Sequence, residues 1–267
     1  MIAQDVLDQI SLQGWAVVPP EPRLLAWVKA TRPAALATLD APRHANWWRH
    51  GHTWFAGVNV LDNDGSGAVR GGPVLAGAAI EFLNRHCPDL AWDRAQISVC
   101  REGYPIQDGE SDAAFAFRNT RDAAHLDGLL PVGPKRQRHL QELHRFILGI
   151  PLTFADEHAS PLVVWEGSHH LIKELLDRHL CEHDPQVWHH MDLTKVYTAT
   201  RRRAFAECRR RIVTVPVGGC YILHRHLIHG VQPWRPQASA DPVGRAIAYF
   251  RPEAKNKVAW ASAAPLV

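Results

Sequence analysis

At 267 residues the chain is long enough to bury a large core without disulfide or metal staples, and 46% hydrophobic with 21% charged content excludes a disordered protein. A net charge of +3 is too small to argue for nucleic acid or a membrane surface as a partner. The five cysteines, Cys87, Cys100, Cys181, Cys208 and Cys220, are odd in number and scattered, with no CxxC pair. They argue against a disulfide framework and for a reducing compartment.

In chain order, the start "MIAQDVLDQISLQGW" alternates charged and apolar residues, unlike a secretory leader. No stretch approaches the roughly 18 apolar residues of a membrane span, so a cytoplasmic location is expected. Residues 2–13 place Ile2, Val6, Leu7 and Ile10 on one helical face, and "GWAVVPP" reads as a strand stopped by prolines. A second helix is predicted from Pro22 through Leu36. The aromatic, glycine-rich stretch from Ala45 to Pro73 has no period and reads as a long ordered loop or a strand pair. Its Trp47, Trp48, His50, His52 and Trp54 are expected either over or beside the open side of a pocket or as core packing between the helices and the barrel. "PVLAGAAIEFLNRH" reads as a helix and "AQISVCREG" as a strand. From Ala113 onward short β-like runs dominate: "AAFAFRN", "HRFILGIPLTF", "SPLVVWEG", "RRIVTVPV", "GCYILH", "LIHGV" and "RAIAYFRP". A helical insertion over Leu171 to Arg209 interrupts them. Strands spaced this way predict a sandwich or barrel in a single domain, 1–267, with a helical N-terminal part to about residue 90.

Several motifs fail on inspection. "DNDGSG" starts like a calcium loop, but the twelfth position holds Pro73 instead of a glutamate. "GSGAVRG" lacks the spacing of a dinucleotide site, and there is no HExxH, GxSxG or P-loop. The basic runs of "RRRAFAECRRR", Arg201 to Arg211, read as a solvated helix face. Seventeen histidines cannot all be functional, yet "CYILHRHLIHG" puts His224, His226 and His229 within six residues. Two H-x-D tripeptides offer partners, His125-Leu126-Asp127 and His190-Met191-Asp192. On a strand, residues two apart face one side, so H-x-D aims an imidazole and a carboxylate at one point. With a distant histidine it can form the facial set that holds Fe(II) and leaves three positions open. His190 heads a predicted helix that Asp192 would cap, so its side chains diverge. From the tripeptide alone, an exposed strand end is the better reading of His125 and Asp127.

"AAHLDG", "FILGIPLTFADEHASPLVVWEGSHH", "GGCYILHRHLIHGVQPWRP" and "GRAIAYFRPE" resemble, in order and spacing, the phytanoyl-CoA dioxygenase-like family of Fe(II)/2-oxoglutarate oxygenases. The resemblance spans about residues 90–252. It implies an α+β, mainly β protein: a double-stranded β-helix, or cupin-like jelly roll, with N-terminal helices and a helical insertion. It also implies Fe(II) on His125, Asp127 and His229, with 2-oxoglutarate reaching Arg245 or, alternatively, Arg251. O₂ and a small-molecule substrate complete the implied reaction, a hydroxylation that releases succinate and CO₂. His224 falls where relatives often carry a histidine that is not a ligand, and His226 is expected at the surface or behind the ligands.

Two departures bear on the cosubstrate pocket: Val231 stands where relatives often carry a hydroxyl residue, and Trp165 where they often carry proline. Ser168 is expected to cap the helix at His169. Two other readings stay open. Arg245 and Arg251 match the spacing of a nucleic-acid dealkylase of the same superfamily, but the asparagine expected at the third position of "RAIAYFR" is absent. A cupin-like barrel that binds a metal or ligand without turnover would place Arg245 at the solvent or in a salt bridge elsewhere. The substrate is not legible.

Overall fold

Residues 2–261 are described by a computed structural model of the chain. The N-terminal part comprises α1 (Ile2–Gln13), β1 (Trp15–Val18) and α2 (Pro22–Ala37), as the helical period of the first and the prolines that bound the other two predict. Val6 and Ile10 of α1 are buried, while the side chain of Ile2 lies outside the described residues. The aromatic stretch forms a strand pair, β2 (Trp48–Arg49) with β3 (Trp54–Gly57), followed by a long loop. Next come α3 (Ala78–His86) and β4 (Gln96–Cys100). The helix α3 begins five residues later than "PVLAG" suggests, where the Glu21 carboxylate accepts the Ala78 N–H at 2.6 Å. A capping group supplied from 57 residues away is invisible to local pattern.

The run "AAFAFRN" is not a strand but α4 (Asp112–Arg121). Its Ala/Phe alternation mimics period two, yet no residue of the element is buried, so no sheet contact rewards an extended form. Ser111 caps it, Oγ accepting the Ala114 N–H at 3.3 Å. A hairpin not anticipated from sequence follows, β5 (Leu129–Val132) with β6 (Gln137–Leu140). Then come β7 (Phe146–Pro151), β8 (Leu162–Glu166), α5 (Ser168–Leu180), α6 (Thr194–Glu207) and β9 (Arg209–Val213). The chain continues through β10 (Cys220–His224), β11 (His229–Val231), β12 (Arg245–Phe250) and a short α7 (Lys257–Ala261).

The strands form a large antiparallel sheet, β1-β10-β7-β12-β4-β3-β2, and a small one, β11-β8-β9. Ile147, Tyr221, Leu223 and Ile247 from the large sheet pack against Leu162, Val164 and Val213 from the small one. This shared interior makes the two sheets a jelly roll, the fold the resemblance implies. The outer face of the large sheet, with Ile97, Val99, Leu148 and Phe250, is covered by Ile10, Trp27 and Leu83 of the N-terminal helices. The insertion helices cover the small sheet, Leu176 and Tyr197 meeting Val163 and Trp165. Buried on both faces, β8 reads as a continuous apolar run rather than an alternating one.

Ser168 and His226 also depart from expectation, His226 from the first of its two readings. Ser168 does not cap α5; Gly167, at φ 84, precedes the helix, and Ser168 Oγ instead accepts the Ile228 N–H at 2.9 Å. His226 is not at the surface but fully buried, its ring edge-on to Trp260 at 4.8 Å. His224 and His169 lie beside it, with ring centroids 5.1 and 4.9 Å apart in succession. Burial, reinforced by the neighbouring cations and imidazoles, lowers all three: His169 to about 4, His224 and His226 well below their usual range.

Unfolding returns these rings to an ordinary value near 6.5, so below that pH the unfolded chain binds protons the folded one refuses. Their contribution is complete above pH 6.5 and is lost as the pH falls toward 4. Melting temperature should be level above pH 7 and decline steeply below about pH 6.5, and His226→Leu should flatten the decline. Parallel curves for the variant and the native chain would remove His226 from this account.

Candidate metal centre

His125 and His229 face one another across an isolated antiparallel bridge. The His125 N–H donates to the His229 carbonyl at 2.8 Å, and the His229 N–H returns a bond at 3.1 Å. Further along, the Val231 N–H reaches the Asp122 carbonyl at 2.8 Å. A Cβ at position 230 would run into that same carbonyl oxygen, so the glycine of "LIHG" is what lets the two backbones close. On the other side of β11, His229 pairs with Val164, whose side chain lies in the barrel interior. Directly opposed residues of an antiparallel pair point the same way, so His229 faces that interior too.

Backbone carbonyls fix both rings. His125 Nδ1 donates to the Ala123 carbonyl at 3.0 Å and His229 Nδ1 to the Leu227 carbonyl at 2.9 Å. A carbonyl can only accept, so each Nε2 keeps its lone pair for a metal. Both Nε2 atoms face Asp127 Oδ1, at 3.1 Å from His125 and 3.6 Å from His229. The three ligand atoms lie within 4.8 Å of one another, the one cluster of this kind among the described residues.

Protonation states suit a divalent ion. Burial alone would raise the Asp127 carboxyl, but its contacts with the His125 and His229 rings and with the Arg251 guanidinium outweigh it and hold it well below the carboxylate range. Burial lowers His229 to about 4 despite the opposing pull of Asp127. An ionised carboxylate and a neutral imidazole need lose no proton before coordinating a metal at neutral pH. The His125 side chain is 47% exposed against 13% for Asp127, so the cluster is open on one side. Two imidazoles and one carboxylate with open positions fit Fe(II).

The two arginines separate in role. Arg251 Nη1 lies 3.4 Å from Asp127 Oδ2, the oxygen turned away from the imidazoles, and is therefore engaged. Arg245 is 5% exposed, and its Nη1 has no hydrogen-bond partner among the described residues. It sits two residues before the interior Ile247 and shares its inward face. The guanidinium lies against the hydroxyls of Tyr249 and Tyr221, which bond each other at 2.8 Å. Gly149 makes room for the Tyr221 ring, and a small cavity of about 20 Å³ opens beside Arg245, Thr153 and Tyr221. Both tyrosines were legible as the inward positions of strands that carry named residues.

Elsewhere the sequence expectations divide. His190 and Asp192 form no metal cluster; Asp192 Oδ1 accepts the Thr194 N–H at 2.9 Å, one residue ahead of the cap position of α6. Trp47 and Trp48 pack on the outer core, with Arg101 at 4.3 Å over the Trp48 ring and His52 stacked on it. Trp54 donates Nε1–H to Ser98 Oγ at 3.1 Å, and His50 stacks on Trp54. Ser98 pairs with the interior Ile247, so only this end of the stretch turns toward the inward face of the sheet. The second half of "RRRAFAECRRR" is strand, not helix face, and two of its three arginines are paired: Arg210 with Asp122 and Arg211 with Glu166.

Removing one of three protein donors should abolish stoichiometric metal uptake, so His229→Ala is expected to take up no Mn(II) in anaerobic titration. His224→Ala and His226→Ala should retain it. Gly230→Ala should weaken uptake by about 10- to 100-fold, the scale of lost ligand support, because the strands must part to seat the methyl group. Native affinity in Gly230→Ala would show that the close approach of the strands is not what sets the cluster.

No family model matches the chain, and no curated protein matches it. Solved structures match over most of its length at low identity. The non-heme alpha ketoglutarate dependent carbocyclase SnoK from nogalamycin biosynthesis is 15% identical at a TM-score of 0.46, covering 93% of this chain and 83% of that one. AviO1 from Streptomyces viridochromogenes Tue57 is 15% identical at 0.48, covering 93% and 94%. EctD from S. alaskensis, solved with 2-oxoglutarate and 5-hydroxyectoine, is 14% identical at 0.44, covering 93% and 74%. At such identities and scores the functional reading rests on this chain's own residues.

Proposed function

We propose that the chain is an Fe(II)- and 2-oxoglutarate-dependent dioxygenase of the phytanoyl-CoA dioxygenase-like type, a single-domain enzyme that hydroxylates a small molecule and releases succinate and CO₂. The observation that carries this reading is the pairing of two features in one barrel. His125, Asp127 and His229 converge within 4.8 Å, and Arg245 points a buried, unpartnered donor into the same interior.

His125 Nε2, His229 Nε2 and Asp127 Oδ1 would hold the iron. Bound Fe(II) with 2-oxoglutarate would supply the activation of O₂ for attack on a C–H bond. The protein's part is geometry and exclusion of water. Arg245 would pair with the far carboxylate of 2-oxoglutarate, and the Tyr221 and Tyr249 hydroxyls beside it offer further contacts. Arg251 is already committed to Asp127, which favours Arg245 as the anchor. A barrel that only stores a metal gives no reason to bury a guanidinium donor without a partner, since such a group costs about 1–3 kcal/mol or more. The free cysteines fit a reducing, cytoplasmic setting. No helix among the described residues is long and apolar enough to cross a membrane.

With Fe(II), 2-oxoglutarate and O₂, the purified protein should form succinate slowly even without substrate. Arg245→Met keeps the bulk and removes the charge-assisted bonds, worth about 1.5–3 kcal/mol. It should therefore weaken 2-oxoglutarate binding by about 10- to 100-fold while leaving Mn(II) affinity nearly unchanged. Undiminished binding in the variant would move the anchor to another cation. No 2-oxoglutarate binding by the native protein would overturn the oxygenase reading in favour of the non-catalytic barrel.

A further inference from the structure

We infer that Arg210 is a positioning residue for the metal cluster, acting through Asp122 to hold the segment of His125 and Asp127 against the strand of His229. This rests on the proposed metal centre and extends it to two residues that touch none of the three ligands.

Arg210 Nε donates to Asp122 Oδ2 at 2.8 Å, and its Nη2 donates to Asp122 Oδ1 at 2.9 Å. The same Nη2 reaches Gln232 Oε1 at 2.9 Å. One planar guanidinium thus grips the segment just before His125 and the segment just after β11, while its own backbone belongs to β9. Two-pronged contact fixes orientation as well as distance, which a point charge does not. The Asp122 side chain is only 5% exposed, so little water competes for its oxygens.

The grip falls where the backbone needs it. Asp122 and the following Ala123 both adopt left-handed conformations, at φ 54 and 53, which L-residues avoid. These two residues aim the Asp122 carbonyl at the Val231 N–H and start the run to His125, whose ring is held by the Ala123 carbonyl. Freed from Arg210, the pair could relax toward ordinary backbone. That would turn the Ala123 carbonyl, and with it the His125 ring, away from Asp127. A small rotation suffices, because the ligand atoms must meet within a few tenths of an ångström of bonding distance.

Two variants separate positioning from mere stability. Asp122→Asn keeps the size and tolerates the left-handed backbone, but removes the charge and turns one of the two acceptors facing Arg210 into a donor. Arg210→Gln removes the fork. Each should weaken Mn(II) binding by at least about 10-fold, the lower bound for lost support of a ligand. The double variant should be little weaker than either single one, since both break the same contact. Arg210→Lys, which keeps the charge without the fork, should recover affinity only in part. Melting of the metal-free proteins, measured alongside, reports the purely structural share. Variants that melt lower yet bind Mn(II) as the native chain does, or single effects that simply add, would overturn the inference. If the native protein took up no Mn(II), the metal-centre reading would fall and this inference with it. If the native protein bound Mn(II) and the variants matched it, only the role of Arg210 would fall.

Discussion

Everything in the candidate site depends on how closely two backbones approach at residues 122–125 and 229–231. Between the mutual hydrogen bonds of His125 and His229 and the Val231 bond to Asp122 there is no room for a side chain, and Gly230 supplies none. The approach sets the 4.6 Å separation of the two imidazole rings. Ladder bonds keep backbone donors and acceptors satisfied, as any buried strand requires. Here they also determine whether two side chains from distant parts of the chain can share one ion.

Around this seam each ionisable group has a defined set of partners. The Asp127 carboxylate faces two imidazoles with Oδ1 and a guanidinium with Oδ2, so both oxygens are occupied from opposite sides. The imidazoles donate from Nδ1 to carbonyls of their own strands, which leaves Nε2 no ambiguity of tautomer. Arg245 is the exception, a buried cation with a donor unspent. In a barrel otherwise closed by apolar packing, such a group is a strong local preference for an anion.

The layers explain why the site lies where it does. Helices cover the outer face of the large sheet and the insertion helices cover the small one, so both sheets keep a protected interior. Ser168, at the start of α5, reaches the Ile228 N–H one residue ahead of His229, tying the insertion to the strand that carries the histidine. The connection makes the helical insertion part of the support for the cluster, not an ornament on the barrel.

How much of this was written in the sequence follows from the range of the forces involved. Apolar runs with a period of two or none marked β7, β8, β10 and β12, amphipathic spacing marked α1, and Pro22 at its first turn marked α2, because these signals are local. Residue type made the H-x-D tripeptides and the three histidines of "CYILHRHLIHG" legible as candidate donors, and the family resemblance singled out His125, Asp127 and His229 among them. What sequence could not supply was contact between residues far apart in the chain. The helix of "AAFAFRN" was missed because its alternation has no sheet to bury it. For His226 the turn left both the surface and a place behind the ligands open, and only the packing of α7 and its Trp260 over the ring decided for burial. Whether Arg210 was a solvated charge or the partner of Asp122, 88 residues away, only the packed sheets decided. Residue type sets what a side chain can bond; tertiary structure sets which partner reaches it first.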